Sequence, residues 1–532
     1  MAPKFKVLIA GASFGGVTLA ILLERANIDY ELFESSAGVS PLGSAVVLGP
    51  TVMPLLEQLG LLRKVQEISK TIKTMHLVQE NMKRIGEIDL SDHMEQTGYD
   101  SLVATRSELL SLFVAQIPTR KIHFSKRIIS FLANKDEVVI RCGDDTSYRG
   151  EILVGADGAF SKVRELLYRQ VAKKGILPRN DASAVAADAA VASFAAGTGG
   201  QGGPGHGHHQ IDAADGEVPQ GGRHISLVGV TRPLDVDVFP VLGELESRSD
   251  TVIGDQSPHS WSYFTVPGNR ICWAVNVQMD DTTLREQRNR SPSPPPRSPP
   301  SPTPSSISSF SAFSTSTSTE SYSLPQLEWE SEGSVNNGNM RGFGLLSEDC
   351  RAFPTPMGNT LGDLIDATPK EHIALATTEQ TLFETWHHGR TVLIGDACHR
   401  MLSNAAHQGA ANAIQDAVVL GNLMHDLPSS TPENLVNIFK DFQADRYAHA
   451  KTQMQMNNKV EKLMSGQSWT ETLIRGFFVR YISKIYQHFC DDKILADRPQ
   501  ANFLPLVGSR GHVHALPQKA HRVFGEDSHS KH

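Results

Sequence analysis

The sequence contains few cysteines and no long uncharged run of apolar residues. No segment reaches the roughly 18 consecutive apolar residues that a membrane-spanning helix requires. The five cysteines are widely spaced and form no CxxC pair, which argues against a disulfide framework and against a zinc site. The N-terminus, MAPKFKVLIAGAS, lacks the apolar core and the cleavage site of a signal peptide. Together these absences predict a cytoplasmic protein with reduced thiols.

The chain also has no excess of positive charge. Its 532 residues carry a formal net charge of -8, which argues against nucleic acid as a partner. There is no GxSxG elbow, HExxH motif or P-loop lysine, and the GHGHH cluster lies in a glycine-rich stretch that fixes no ligand geometry, so we expect no metal site. A hydrophobic content of 40% is enough for a large core. Small-molecule chemistry is the class of function that these features favour.

Two stretches of biased composition interrupt the globular pattern. Residues 172–222 are rich in Ala, Gly and His, and residues 287–325 are rich in Ser and Pro. Neither offers enough large apolar side chains to offset the entropy of ordering the chain, so we predict two disordered insertions. Between them, apolar runs of strand length at 224–231, 261–266 and 270–279 predict a mostly antiparallel sheet.

A strand, a glycine turn and an acidic residue open the sequence. Residues 5–10 form an apolar run that is followed by GASFGG and by a second apolar run of helical length. Gly11 permits a tight turn, and the small residues Ser13 and Gly16 permit close approach of a pyrophosphate to the helix N-terminus. Glu34 follows the next strand, about twenty residues further on, where an acid accepts a ribose hydroxyl. This unit is compatible with NAD, with FAD, or with a strand-turn-helix that binds no cofactor.

Two further strand-to-glycine turns each carry an aspartate. EILVGADGAFSKVR places Asp157 and Gly158 after a strand, and TVLIGDACH places Asp396 after another. The segment HQGAANAIQDA then begins a helix with Gly409 and Ala410. A simple NAD dehydrogenase does not account for three such turns.

In this order the three motifs resemble the aromatic-ring hydroxylase family of FAD-dependent, class A flavoprotein monooxygenases, and most of all its fungal epoxidase-type and salicylate-hydroxylase-like members. The resemblance runs from residue 3 to about residue 450, interrupted by the two insertions. It implies that the first turn and its acid hold the ADP half of FAD, that the DG motif lies near the pyrophosphate and the nicotinamide site, and that the GD motif holds the ribityl chain. The FAD-binding residues implied in this way are Gly11, Ser13, Gly16, Glu34, Gly43, Arg106, Asp157, Gly158, Asp396, Gly409 and Ala410.

The resemblance also implies a fold class. We expect an α/β protein with a Rossmann-like FAD-binding domain of the glutathione reductase and p-hydroxybenzoate hydroxylase type, an inserted, mostly antiparallel β-sheet substrate domain and a helical C-terminal region. The expected segments are an FAD-binding domain at 1–171 and 391–425, disordered insertions at 172–222 and 287–325, a substrate domain at 223–286 and 326–390, a helical region at 426–510 and a flexible tail at 511–532.

The activity implied is that of an enzyme of secondary metabolism. It would use FAD, NADPH or NADH, and O2 to hydroxylate or epoxidise a small aromatic or isoprenoid substrate through a flavin C4a-hydroperoxide. Because the flavin carries this chemistry, no catalytic side chain is assigned. Two alternatives stay open: another FAD-dependent oxidase, halogenase or reductase on the same fold, and a flavin-binding scaffold without catalysis.

The sequence departs from the family pattern near the GD motif. Ser403 stands where the family has proline, and the segment His407-Gln408-Gly409 is offset by one residue from the family's GQG. His407 is expected to cap or hydrogen-bond this loop. Cys398 is expected to pack rather than react, because thiolate chemistry needs a basic neighbour. His399 has equal claims to a structural and to a functional role.

The substrate pocket is expected between the mid-chain sheet and residues 43–48. Trp261, Phe264 and Trp273 belong either to this pocket or to the ordinary core. Near the C-terminus, an apolar stripe at 469–489 with basic residues on its other faces predicts an amphipathic helix. Such a helix either packs on the FAD-binding domain or makes peripheral membrane contact.

Overall fold

The computed structural model describes seven stretches of the chain, which are residues 5–40, 44–184, 223–254, 259–279, 350–401, 409–464 and 492–521. Gly43, the Ser/Pro-rich insertion, the loop at 402–408 and the amphipathic segment at 469–489 lie outside these stretches. Within the seven stretches, no helix is both long and apolar enough to cross a bilayer.

A six-stranded, mainly parallel sheet organises the N-terminal part of the chain. The strand that opens the sequence pairs in parallel with the strand before the DG motif, which in turn pairs in parallel with the strand before the GD motif. Their nearly continuous apolar runs suit strands that are covered on both faces. The prediction of one sheet built from distant segments is therefore confirmed. Its strands are β1 (Lys6–Ala10), β2 (Asp29–Phe33), β8 (Ile122–His123), β12 (Ile152–Gly155), β19 (His387–His388) and β20 (Thr391–Leu393).

Four long helices accompany this sheet. The first is buried along almost its whole length, because it packs against the helix that begins at Gly409. Small residues allow the close packing: a Cβ atom built on Gly15 would lie 3.3 Å from Ala413 Cβ. This contact brings the first glycine turn next to the GD turn. The helices are α1 (Phe14–Arg25), α6 (Lys162–Lys173), α8 (Gly409–His425) and α9 (Pro432–Met464).

A seven-stranded, mostly antiparallel sheet forms the second layer, and three of its adjacent strands lie where the apolar runs predicted them. The assignment of all of residues 1–171 to the FAD-binding domain needs correction, because a hairpin from residues 74–89 joins this sheet through a parallel pairing with the strand Ser249–Ile253. The hairpin pairs with a strand distant in sequence, a choice that local periodicity does not specify. The strands are β5 (Thr74–Gln79), β6 (Arg84–Asp89), β13 (Arg223–Val230), β14 (Ser249–Ile253), β15 (His259–Val266), β16 (Arg270–Met279) and β17 (Ile373–Glu379).

The two faces of the antiparallel sheet bury different side chains. On one face, Trp261 and Trp273 pack beneath residues 234–243 and 350–366. On the other face, Phe264 packs against a small three-stranded sheet. All three aromatic side chains are almost fully buried. They are therefore core residues, which decides between the two roles that the sequence left open.

Smaller elements complete the described part of the chain. The three-stranded sheet that packs on Phe264 consists of β3 (Ala45–Leu48), β4 (Lys70–Ile72) and β7 (Ser101–Thr105). Two other small sheets are formed by β9 (Ile128–Ala133), β10 (Val138–Cys142) and β11 (Ser147–Gly150), and by β18 (Thr381–Leu382) and β21 (His399–Arg400). The short helices are α2 (Met53–Gln58), α3 (Leu62–Glu67), α4 (His93–Thr97), α5 (Arg106–Val114) and α7 (Leu361–Asp366).

The first predicted insertion begins later than its composition suggested. Residues 172–184 complete α6 and form a further helical turn at 179–184. Asp181 in this turn is buried and accepts hydrogen bonds from the backbone N–H groups of Glu384 (2.8 Å) and Thr385 (2.9 Å). A buried carboxylate with two backbone donors anchors the segment, although it contains few large apolar side chains. The boundary at 172 is therefore wrong, while residues 185–222 lie outside the described stretches.

The C-terminal strap, which we define as residues 492–521, crosses back over the N-terminal part of the fold. Gln58 donates to Ala501 O (3.0 Å), and the backbone N–H of Val513 donates to Gln96 O (2.8 Å). Val513 is also buried. The predicted flexible tail from 511 is thus wrong for residues 511–521, because these contacts are tertiary and leave no periodic pattern in the sequence.

Buried His93 predicts a loss of stability in acid. Its Nδ1 lies 2.8 Å from Ser101 Oγ, and burial lowers the pKa of His93 to about 4. In the unfolded chain a histidine has a pKa of about 6.5, so the unfolded state binds a proton first and stability falls as the pH drops from about 6.5 to 4. In His93→Gln, we expect the loss of unfolding free energy between neutral and mildly acidic pH to be smaller by about 2 kcal/mol. Chemical denaturation at both pH values measures this difference, with the exposed His514→Gln as control. An unchanged pH dependence of stability in His93→Gln would contradict the lowered pKa of His93 as its cause.

Candidate cofactor site

The first glycine turn is shaped so that no side chain fits inside it. Gly11 has a positive φ of 98°, and a Cβ atom there would lie 2.3 Å from Ala156 O. A Cβ atom on Gly16 would lie 2.0 Å from Gly11 O. These distances are far below van der Waals contact, so both positions require glycine. The turn after β1 therefore lies directly against the turn after β12.

The N-terminus of α1 opens at this turn with a polar pair beside it. Ser13 precedes the helix in an extended conformation and makes no side-chain capping bond. Its hydroxyl instead accepts a hydrogen bond of 2.9 Å from Arg106 Nη2. A helix N-terminus favours an anion, and a guanidinium beside it strengthens that preference. The arrangement suits a phosphate group.

Glu34 lies at the end of β2, next to the same turn. Its side chain is buried, with Oε2 accepting from the backbone N–H of Ala12 (2.9 Å) and Oε1 from that of Ser36 (2.8 Å). Each carboxylate oxygen can accept more than one hydrogen bond. Glu34 is therefore held rigidly and keeps acceptor capacity for a sugar hydroxyl.

Asp157 in the DG motif serves the local turn. Its carboxylate accepts from Ser161 Oγ (2.5 Å) and from the backbone N–H of Val163 (3.0 Å), at the start of α6. Burial raises the pKa of Asp157, and the hydrogen bond from Ser161 opposes that rise. Gly158 beside it has a φ of 81°, in the left-handed region. In this structure Asp157 shapes the turn at the start of α6.

Asp396 in the GD motif faces open space. Its side chain is exposed, yet desolvation by the surrounding protein raises the pKa of this carboxyl, while the charges of Arg400 and Arg106 oppose that rise. A carboxylate that is open to solvent and still closely surrounded by protein groups lies in a concave part of the surface, which we call the cleft. A Cβ atom on Gly409, at the start of α8, would lie 3.8 Å from Asp396 Oδ1. The GD turn, the start of α8 and Arg106 thus border one cleft.

Sequence reasoning missed the role of Arg164, which joins the second and third turns. The side chain is buried, and it donates to Ala159 O (2.6 Å) and to Ala397 O (3.0 Å). Its guanidinium carbon also lies 4.2 Å from the ring centroid of Phe383. The arginine is visible in the DG motif, but its partner Ala397 is more than two hundred residues away and no local pattern identifies it.

Of four further residues that the sequence singled out, two lie in the described stretches and two do not. Ala410 is partly buried against the core in the first turn of α8, whereas Gly43 and His407 lie outside the described stretches. Cys398 is fully buried and its thiol donates to Gly395 O at 3.3 Å. Burial also raises the pKa of Cys398 well above the usual value for a thiol. Cys398 is therefore a packing residue.

These features together fit an elongated dinucleotide. The first turn needs glycine at two positions and lies at the N-terminus of α1, and Glu34 follows the second strand. Arg106 and Asp396 line the cleft next to this turn. Two more strand-turn units lie beside the first. A cofactor that extends beyond the nucleotide bound at the first turn needs such additional binding segments. The fold and this site define an FAD-dependent oxidoreductase.

The chain belongs to the FAD binding domain family, within the class A flavoprotein monooxygenases. The family model matches residues 4–201 and 360–455, which together make up more than half of the chain. Among its relatives, the FAD-dependent monooxygenase atmM of Aspergillus flavus is 22% identical over 521 residues, covering 96% of this chain and 88% of the relative. The FAD-dependent monooxygenase spyC of Aspergillus fumigatus is 24% identical over 523 residues, covering 95% and 89%.

Solved structures show the same fold. HpxO of Klebsiella pneumoniae, crystallised with FAD and uric acid, has a TM-score of 0.61 and 17% identity, covering 93% of this chain and 98% of its own. The 2,6-dihydroxypyridine-3-hydroxylase of Arthrobacter nicotinovorans has a TM-score of 0.55 and 17% identity, covering 88% and 95%. The expected fold class is thus confirmed.

Proposed function

We propose that this enzyme uses NAD(P)H and O2 to hydroxylate or epoxidise a small aromatic or isoprenoid compound. The observation that carries the proposal is the single cleft bordered by Arg106, Asp396 and the start of α8. The monooxygenase names of its relatives agree with it.

The residues around the cleft suggest how FAD would be held. The turn at Gly11 and Gly16 would receive the pyrophosphate together with Arg106, and Glu34 would accept a hydroxyl of the adenosine ribose. Asp396, exposed on the cleft wall, would accept hydroxyl groups of the ribityl chain. Bound there, FAD would supply the redox chemistry, taking hydride from NAD(P)H and activating O2.

One face of the antiparallel sheet offers a wall for the substrate. Ser226, Ser262, Ala274 and Asn276 alternate along their strands with the residues that pack beneath 234–243 and 350–366, so they lie on the opposite face. Ser226 Oγ lies 2.6 Å from Asn276 Oδ1 and donates to it. The side chains are small and partly polar, which leaves room for an organic ring and offers few groups for its orientation.

Steady-state turnover tests the proposal. Purified holoenzyme is incubated with NADPH or NADH and a panel of phenols and isoprenoids, while nicotinamide oxidation and oxygen uptake are followed. We expect at least one compound to stimulate both rates and to gain an oxygen atom from isotopically labelled O2. Turnover that needs no nicotinamide would identify an oxidase instead. A flavin-loaded protein that consumes no NAD(P)H with any compound would support the scaffold alternative.

A further inference from the structure

A buried polar network lies behind the GD turn. Its centre is Asp416 on α8, which is fully buried. The Asp416 carboxylate accepts from the backbone N–H of Gly395 (2.8 Å), from His399 Nε2 (2.7 Å) and from Arg446 Nε (2.7 Å). Gly395 precedes Asp396, so this carboxylate directly holds the turn that faces the cleft. Three donors on one buried carboxylate leave it little freedom to move.

The network extends from α9 to the C-terminal strap, where it ends at Asp497. One route runs from Asp497 through Arg446, whose Nη1 lies 3.4 Å from Asp497 Oδ2, to Asp416. Asp497 Oδ2 also accepts from His449 Nδ1 at 2.6 Å. The backbone carbonyl of Asp497 accepts from Gln415 Nε2 (3.0 Å), which ties the strap to α8 as well.

A second route leads from Asp497 to the first turn of α8. His449 Nε2 accepts from Gln453 Nε2 (2.6 Å), and Gln453 Oε1 accepts from Asn412 Nδ2 (2.5 Å). Asn412 follows Gly409 and Ala410, the residues at the helix start that borders the cleft. Both routes therefore begin at Asp497 and end at a different edge of the cofactor cleft.

We propose that Asp497 of the C-terminal strap is a positioning residue for FAD, which fixes the GD turn through Arg446 and Asp416 and the start of α8 through His449. The inference rests on FAD binding in the cleft described above and not on the identity of the substrate. The strap lies outside both segments matched by the family model.

The charges of the network agree with this role. Burial raises the pKa of Asp416, but His399 and Arg446 lower it by more, so the net shift is downward. Burial also raises the pKa of Asp497, and the hydrogen bond from His449 and the charge of Arg446 outweigh it. The Arg446 guanidinium thus lies between two carboxylates that are both ionised at neutral pH. Neutralising Asp497 would remove one of them and change how Arg446 is held beside Asp416.

The test replaces Asp497 with asparagine in the full-length holoenzyme. Asparagine has the same shape but no charge, and it leaves the backbone contact with Gln415 in place. We expect the dissociation constant for FAD to rise about tenfold, since the substitution replaces charge-assisted contacts with His449 and Arg446 by weaker, neutral ones. The midpoint potential of the bound flavin is also expected to shift, because the GD turn and the start of α8 would no longer be held in one position.

The matched control is Arg510→Gln, which removes a strap contact far from the network. Arg510 Nη2 donates to Glu57 Oε1 at 2.6 Å, and neither residue touches the network. We expect this variant to melt at a lower temperature but to keep the FAD affinity and the flavin potential of the parent. If Asp497→Asn does not fold, His449→Gln tests the route from Asp497 to the start of α8 with the same two measurements.

Two results would overturn the proposal. One is an Asp497→Asn protein whose FAD affinity and flavin potential both match those of the parent. The other is an equal change of FAD affinity and flavin potential in the Arg510→Gln control, which would show that the strap stabilises the fold in general and not the cofactor site in particular. Because neither measurement requires substrate turnover, a failure of the proposed monooxygenase reaction would leave this comparison intact.

Discussion

Gly16→Ala is expected to yield a folded protein without bound flavin. The added Cβ atom would lie 2.0 Å from Gly11 O, and this contact is with backbone, which cannot swing aside as a flexible side chain does. The start of α1 would have to move, although its residues are buried between the parallel sheet and α8. Such a shift would widen the turn where we place the pyrophosphate. We expect a loss of at least about a hundredfold in FAD affinity, equivalent to about 3 kcal/mol.

A second glycine provides the control for this substitution. Gly38 follows the same two strands, but a Cβ atom there meets nothing within 4 Å. Gly38→Ala is therefore expected to keep the flavin content and affinity of the parent. Flavin bound per polypeptide, and fluorescence titration of the apoprotein with FAD, measure both variants. Stoichiometric flavin in Gly16→Ala would show that the first turn does not hold the cofactor.

The sequence was most informative where function demands a local pattern. Each glycine turn requires a strand, a few small residues and a helix in immediate succession, so Gly11, Asp157 and Asp396 were all recognisable from short segments. That the strands before them are neighbours in one sheet followed from the resemblance and is seen in the pairing. The assignment of Arg106 and Asp396 to FAD binding likewise rests on the resemblance.

The residues that hold the turns in place were not predictable in this way. Asp416 looks like any polar residue in a helix, and only the fold brings Gly395, His399 and Arg446 to its carboxylate. The sequence predicts a flexible tail beyond residue 510, because the backbone hydrogen bond from Val513 to Gln96 leaves no compositional signal. Tertiary contacts of this kind join segments far apart in sequence, and local periodicity does not reveal them.

Arg164 allows the coupling between the second and third turns to be tested. Arg164→Met removes two hydrogen bonds and leaves the carbonyls of Ala159 and Ala397 without their donor. The bond to Ala397 O is buried and that to Ala159 O is partly buried. A buried acceptor that loses its partner costs about 1 to 3 kcal/mol, so we expect the unfolding free energy to fall by about 3 kcal/mol. FAD affinity should fall as well, because Ala397 directly follows Asp396. Chemical denaturation and FAD titration measure the two effects separately.

Two further variants show whether geometry or charge is responsible. Lysine keeps the charge but lacks the planar fork that reaches two carbonyls at once, so Arg164→Lys should lie between the parent and Arg164→Met in both measurements. Arg169 lies on the same helix, is largely exposed and pairs with Glu165, so Arg169→Gln should change neither quantity by more than about 0.5 kcal/mol. If Arg164→Met were as stable as Arg169→Gln and bound FAD equally well, the two turns would be positioned independently. A loss of stability without a loss of affinity would confine Arg164 to the core, and a loss of both would show that the DG and GD turns are held together for the cofactor.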